Sequence, residues 1–519
     1  MQYASVERNA QPRVLEQDFP VAKTVFLSGF DLWAPDLPED VRVLQPPFPL
    51  PGLDDVRQAV VRALEEPEAG QPLSAFLRPT SRVTVVLDDF SLPVPPLASD
   101  CRSEMLETVL HLLHSAGVRP SRLAILVANG LSRQWRPGEL DEILGPNRPE
   151  SIRCHDAEDF TQLMRIGEEP EGPIELNRAL VESDLILYLN IVSVPLMSGL
   201  FGLIAGTTGY RTARFLGDPR LFSGGGNPLQ PGSEYDRVHQ RVAAHVLKRT
   251  PVIQLAAVMN TELWKPAVAA LLRSDEGLSR PLQLWNALPG AVRYRAARFL
   301  KASYRPIAVI SGPPGQVQGP ALEAFYRQHE VGLEREADIL VFGVPDVGPA
   351  SVHSSQNPIL AANVALGYLS NFFAGKPLLK KGGAIVFANP LHPVFNRATH
   401  LPHQEFYEKV LRHERDPVAI HERFEAYFAG RPEFVSSYQK RFAFHGTHPL
   451  YAWYLCTPAR QRAGRIFVAH GDPRACARLG FTPAKDVEDA LLKAGDFVGS
   501  PRPFTVVLQL PPPYWVRVH

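Results

Sequence analysis

The chain has 519 residues, of which 54 are basic and 54 acidic. That length asks for more than one folded core, and the cancelled charge excludes whole-chain attraction to nucleic acid or an anionic membrane. Its four cysteines, Cys101, Cys154, Cys456 and Cys476, form no C-x-x-C pair, so neither a disulfide framework nor a zinc site is signalled.

Residues 1–25 read as a flexible leader without the apolar stretch of a secretory signal, which points to the cytoplasm. Arg82–Leu87 is a β-rich apolar run that ends at Asp88 and Asp89. Ser103–Gly117 has helical spacing and closes on a glycine, as a C-cap does. Leu123–Val127 is the next strand, turned by Asn129-Gly130, and Glu139–Leu144 is a short helix closed by Gly145-Pro146. This rhythm means right-handed βαβ units and a mostly parallel sheet. Ligands gather at the carboxyl ends of such strands, which places Asp88-Asp89, Asn129–Arg133 and Asn190–Gly206 on one rim.

Between Asp184 and Arg211 no side chain is charged. A run of that length raises a membrane span, yet Asn190, Ser193, Pro195, Ser198 and four glycines interrupt it and no aromatic belt flanks it. Leu185–Leu189 has the length of a doubly buried strand, with a loop and short helix to follow. The glycines beyond it either let backbone N–H groups approach an anion or serve tight turns and helix–sheet packing.

A second α/β unit is expected from Pro306–Ile310, Ala337–Phe342, Lys381–Phe387 and Gly464–Val468, with the join near Arg273–Arg305. The fold class is therefore α/β, two domains with mostly parallel sheets and an interdomain cleft. The first domain spans 26–280, joined by 505–519, and the second spans 281–504.

Five segments together resemble the nickel-dependent lactate racemase family. Asp89-Phe-Ser-Leu-Pro-Val-Pro95 is similar to its D-x-T-R-P-x-P, and Ile125-Leu-Val-Ala-Asn-Gly-Leu-Ser-Arg133 to its I-L-x-A-T-G-T-H-R. His155-Asp156 leads into Gly167, Gly172, Asn177-Arg178 and Ser183-Asp184, as in that family's H-D … N-R … A-D progression. Gly224–Pro228 resembles its G-N-P turn, and Leu379–Phe387 its V-K-K-G-G strand entrance. The resemblance implies two α/β domains around a cleft and interconversion of 2-hydroxyacid stereoisomers. It also implies a pyridinium-derived nickel pincer cofactor, bonded to a lysine, that takes hydride from the substrate. Two histidines then serve as acid and base, and a third ligates nickel.

This chain departs from the pattern at those positions. Ser132 stands where a catalytic histidine belongs, Pro195 at the second histidine position and Ala205 at the lysine position. Leu92 and Ser91 replace the arginine and threonine of D-x-T-R-P. No lysine or histidine occurs between His155 and His239, so a slip in register cannot restore them. The catalytic residues are therefore unknown, no metal ligands are assigned and no cofactor is expected.

The resemblance and the rim leave Asp89, Ser91, Asn129, Arg133, Ser198, Gly199, Gln356 and Asn357 as candidate ligand-binding residues. Arg133 reads either as a carboxylate clamp or as the partner of Glu139. Asp88-Asp89 reads either as a cation site or as a turn or N-cap. His111 and His114 share a helix face near its C-terminus, and His392, His400 and His403 cluster near Glu405, a spacing that reads either as a metal site or as a solvated loop. The leading reading is a pseudoenzyme or binder of a small carboxylic acid, with no nucleic-acid or membrane partner. The alternative is an active racemase or epimerase on another 2-hydroxy- or sugar acid, with bases drawn from His353, His392 or His470 and the nickel pincer held noncovalently. A nucleotide-dependent dehydrogenase is excluded by the lack of G-x-G-x-x-G after an early strand, and serine hydrolysis by the lack of a G-x-S-x-G elbow.

Overall fold

The computed structural model describes residues 24–519 except 30, 68–69, 147, 264–283, 286, 290–291, 294–300, 347–356 and 511–512. Nearly all of the leader and most of the expected join thus lie outside the described residues.

Two six-stranded sheets organise the chain. The first runs, edge to edge, through Pro306–Gly312, Val252–Met259, Leu185–Val192, Val83–Asp88, Leu123–Ala128 and Ile152–Cys154. Every pairing in it is parallel except the one between Pro306–Gly312 and Val252–Met259. Val83–Asp88, Leu185–Val192 and Val252–Met259 are buried at every position, because helices cover both faces. That is why these strands read as unbroken apolar runs instead of alternating ones. The uncharged stretch is thus a core strand followed by a 3₁₀ turn, Pro195–Ser198, and a helix, Phe201–Thr207. Among the described residues no helix is long and apolar enough to cross a membrane.

The second sheet is wholly parallel, in the order Thr482–Ala484, Arg465–Ala469, Leu379–Ala388, Ala337–Gly343, Thr505–Leu508 and Arg42–Leu44. One continuous core joins the sheets, since Val192, Ala256 and Val258 pack in the same cluster as Phe325, Phe342 and Trp515.

Strand pairing crosses the expected domain limits. Arg42–Leu44 and Pro306–Gly312 each close an edge of the sheet built by the other half of the chain. Thr505–Leu508 lies between Ala337–Gly343 and Arg42–Leu44, so it pairs with a strand from each half. Trp515–Val518 lies between Glu330–Leu333 and Phe373–Gly375 in a small third sheet. The physical reason is edge protection: an exposed strand edge carries unpaired amides, and a strand borrowed from the other unit covers them.

The helix Phe201–Thr207 sits directly on the carboxyl ends of the first sheet. A Cβ at Gly206 would stand 2.2 Å from the Ala128 carbonyl oxygen, and one at Gly130 2.4 Å from that of Ala205. We expect Gly206→Ala to cost about 3 kcal/mol or more in urea unfolding, because backbone atoms cannot move aside. Gly138→Ala, in the helix Pro137–Leu144 with open space around it, should instead gain up to about 1 kcal/mol.

Candidate functional site

Asp88 ends a central strand and is 2% exposed. Its Oδ1 accepts a long bond from the Tyr188 hydroxyl, at 3.5 Å, and no donor lies within hydrogen-bond distance of its Oδ2. The nearby Arg102 fork is held by Asp100, through Nε at 2.9 Å and Nη2 at 2.6 Å, and its Nη1 donates to the carbonyls of Asp88 and Asp89. Burial therefore outweighs the arginine and pushes the Asp88 carboxyl up to about 7. Asp89 is half-buried and its Oδ1 accepts the Trp135 indole N–H at 2.8 Å. Burial raises it too, while Trp135, Ser91 and the two arginines draw it back. The pair does not cap the helix that follows: Asp100 caps Cys101–Ser115. No group of three or more metal-binding side chains forms among the described residues.

A tight turn, with the Leu92 N–H donating to Phe90 O at 2.9 Å, leaves Ser91 exposed and turns Leu92 inward. Across the sheet end, Asn129 donates through Nδ2 to His155 O at 3.1 Å, and its Oδ1 is buried without a partner. Arg133 is not a free carboxylate clamp. Its guanidinium meets Glu139 in a two-point pair, at 2.8 and 3.0 Å, with both side chains buried, and lies 4.6 Å from the Trp135 ring. Opening that pair would leave the Glu139 charge buried and unpaired. Trp135 therefore holds Asp89 with its N–H and Arg133 with its ring face.

His155 is structural. Asn177 donates to its Nδ1, so its Nε2–H donates to Thr208 O at 2.9 Å, and burial pushes the imidazole down to about 4. The glycine-rich segment likewise turns its polar groups inward. The Ser198 hydroxyl donates to Pro195 O at 2.7 Å and its carbonyl accepts Gln254 Nε2 at 3.0 Å. A Cβ on Gly199 would lie 3.4 Å from the Gln318 amide. Ser198 is therefore buried with its polar groups paired, and Gly199 packs beside Gln318. Pro195 heads the buried 3₁₀ turn and Ala205 sits within the helix pressed on Gly130.

From the second half comes Asn357, fully buried, whose Oδ1 caps the helix Pro358–Ala362 and whose Nδ2 has no partner. Gln356 and His353 lie outside the described residues. A π-helical turn follows over Asn363–Tyr368, a feature that recurs at functional sites. Tyr368 faces the Asp89 charge, and burial together with that charge pushes its phenol up to about 12. Ser91 is exposed and Asp89 and Tyr368 are half-buried, so these three form the accessible part of the site over the buried Trp135. His392 is exposed, and His470, at φ 62, stacks on Trp33 at 4.1 Å.

His400 and His403 are not solvated: both are buried, beside His445 and His448. His403 Nε2 and His448 Nδ1 are 3.1 Å apart, and His403 Nδ1 has no partner. Burial pushes His400 down to about 4, His448 to about 3 and His403 well below its ordinary value. The segment is fixed to the first half by His445 N–H on Leu131 O at 3.2 Å, Tyr438 O–H on Gly130 O at 2.7 Å, and His445 Nε2 on Glu158 at 2.8 Å. Two His-x-x-His pairs, His400/His403 and His445/His448, were the sequence signal for this cluster.

Residues 33–203 match a family model described as the lactate racemase N-terminal domain. Among solved structures, the chain is similar to the lactate racemase apoprotein from Thermoanaerobacterium thermosaccharolyticum. The two share 15% identity with a TM-score of 0.61, over 96% of this chain and 100% of that one. A Thermotoga maritima protein solved by a structural genomics consortium is similar at 14% identity and a TM-score of 0.53, over 92% and 100%. No curated protein matches the chain. At these identities the structural likeness speaks for the fold.

Asp88 gives a pH test. Burial pushes its folded carboxyl up from the ordinary 3.8 to about 7, so the folded state holds the proton more tightly than the unfolded one. Its penalty therefore grows as pH rises from about 4 to about 7 and is constant above. Asp88→Asn should unfold at higher urea than the parent at pH 8, by up to about 4 kcal/mol at about 1.4 per unit. The gain should vanish near pH 4; an equal gain at both would mean an unshifted carboxyl.

Proposed function

We propose that the chain, whose residues 33–203 match the lactate racemase N-terminal domain, is a lactate racemase-like protein whose rim binds a small carboxylic acid and which has lost that family's nickel-pincer chemistry. One observation carries the loss: the cofactor positions are built into packing. Ala205 belongs to the helix seated on Gly130, and Pro195 opens a buried turn. Ser132 has its N–H on Asn129 O. A lysine-anchored nickel pincer does not fit this donor set. His239, the next histidine in the chain, holds Nδ1 on Tyr235 O at 2.8 Å and packs against Phe201.

What supports acid binding is the accessible group around Asp89. A carboxyl raised by burial meets an incoming carboxylic acid by sharing one proton, with Ser91 and Tyr368 as neighbouring hydroxyls. The ligand is then bound together with a proton, so affinity falls as pH rises.

A second reading is favoured by one observation, the buried His403–His448 pair beside Leu131–Arg133. Two linked neutral imidazoles can pass a proton, and an active racemase or epimerase would draw its acid and base from there.

Calorimetric titration with lactate at pH 5.5 and pH 8 separates these readings. Binding should weaken several-fold per pH unit as pH rises, and Asp89→Asn should flatten the dependence. Co-expression with a family cofactor-biosynthesis set should leave an unmodified mass without nickel, and neither lactate enantiomer should racemise. A lysine-linked nickel adduct would sink the binder reading. Racemisation abolished by His448→Asn would establish the second.

A further inference from the structure

The cations around the Asp89 carboxylate are committed elsewhere. Arg102 faces it from the helix Cys101–Ser115, and Arg133 from the loop after Leu123–Ala128. The first is locked on Asp100 and the second on Glu139. Cys154 faces it from the edge strand Ile152–Cys154, Tyr368 from the π-helical turn, and Asp88 stands before it in the chain. None of these three brings a positive charge. The donors that approach the carboxylate are neutral: the Trp135 indole N–H, at 2.8 Å from Oδ1, and the Ser91 hydroxyl.

Trp135 is held as a fixed donor. It is 4% exposed, with the Arg133 guanidinium 4.6 Å from its ring and the Phe90 ring edge-on at 5.4 Å. Its backbone N–H donates to Cys154 Sγ at 3.2 Å, which ties the loop to the edge strand. A buried indole N–H needs one acceptor, and any backbone carbonyl would serve. Here the acceptor is a half-buried carboxylate two residues from the exposed Ser91. An arginine in that place would favour the ionised form of Asp89 strongly. An uncharged donor fixes one oxygen and leaves the group able to take a proton.

We propose that Trp135 is the positioning residue of the rim: by holding Oδ1 of Asp89 it presents Oδ2 to the ligand, and the proton shared with an incoming carboxylic acid lies on that oxygen. The inference rests on the acid-binding reading. One O–H···O hydrogen bond forms between Asp89 and the ligand, and no covalent bond to carbon changes. Oδ1 already accepts the indole N–H, so it is the poorer seat for that proton. Burial raises the Asp89 carboxyl, and Trp135 is foremost among the groups that draw it back. Removing the N–H should therefore raise it further.

The test follows the six tryptophan indole N–H signals of the full chain by NMR, of which Trp135→Phe removes one. Without ligand, that signal should move with pH in the parent and stay still in Asp89→Asn. Lactate added to the parent at pH 5.5 should move it again. Trp135→Phe keeps a ring against Arg133 and Phe90, and calorimetric titration should find the pH at which its lactate binding is half lost moved upward. A packing role alone would weaken binding at every pH without moving that point. Should Trp135→Phe fail to fold by its urea midpoint, the signal is the one whose pH response Asp89→Asn removes, and the parent decides. An indole signal that answers neither pH nor lactate overturns this inference alone where lactate binds, and so does an unmoved midpoint. No lactate binding by the parent overturns the acid-binding reading together with it.

Discussion

Much of this molecule depends on how closely the helix Phe201–Thr207 rests on the ends of the first sheet. Gly130 N–H bonds to Gly206 O at 3.0 Å, and the missing side chains at both positions let two backbones meet. A Cβ on Gly202 would reach within 2.6 Å of the Asp88 carboxylate oxygen and closer still to the Tyr188 hydroxyl. The helix thereby closes water off from Asp88, which raises its carboxyl. The same seating occupies the backbone groups that a phosphate or pyrophosphate loop would leave open. Packing and ligand capture compete for the same glycines, and here packing has them.

That closure sorts the polar side chains into two kinds. One kind is paired and buried: Arg133 with Glu139, Arg102 with Asp100, and His155 between Asn177 and Thr208. These fix the loops, since removing either partner of a buried ion pair leaves a charge that the interior cannot solvate. The other kind is incompletely satisfied: Asp88 Oδ2, Asn129 Oδ1, Ser193 Oγ and Asn357 Nδ2. The orphaned atoms at Asp88, Asn129 and Ser193 lie at strand ends of one sheet, where topology already directs ligands.

The sequence made the strands legible because doubly buried strands are unbroken apolar runs. Leu185–Leu189 extended to Val192, and the strand after Val83 reached Asp88. Sheet membership was not legible. Pro306–Gly312 reads as the first strand of a new unit, yet it pairs antiparallel with Val252–Met259, and no local pattern encodes which edge a strand will cover. At the site, sequence spacing placed Asp89, Asn129 and Arg133 just beyond the ends of two paired strands, where the structure has them. It left open whether Arg133 is free, because a buried pairing with Glu139 and a ligand clamp need the same two residues. The histidines at 400 and 403 read as loop surface because their burial comes from residues 438–448 and 131, distant in the chain.

The contact between those histidines and the first half also sets how the two halves respond to acid. Tyr438 on Gly130, His445 on Glu158, and Tyr210 with Arg214 on the buried Glu425 tie helices of the second half across the rim. The neighbouring His400, His403 and His448 are held neutral by burial. Their folded affinity for protons is lower than in the unfolded chain, so their contribution is present above the ordinary 6.5 and is lost as pH falls toward 4. Asp88 works in the opposite direction over nearly the same span, its penalty easing as pH falls. The site therefore joins a carboxyl that favours protonation to a histidine cluster that resists it, on two sides of one loop. A proton is accommodated at the carboxyls, whose burial already favours the neutral form. The imidazoles that hold the second half in place resist that same proton.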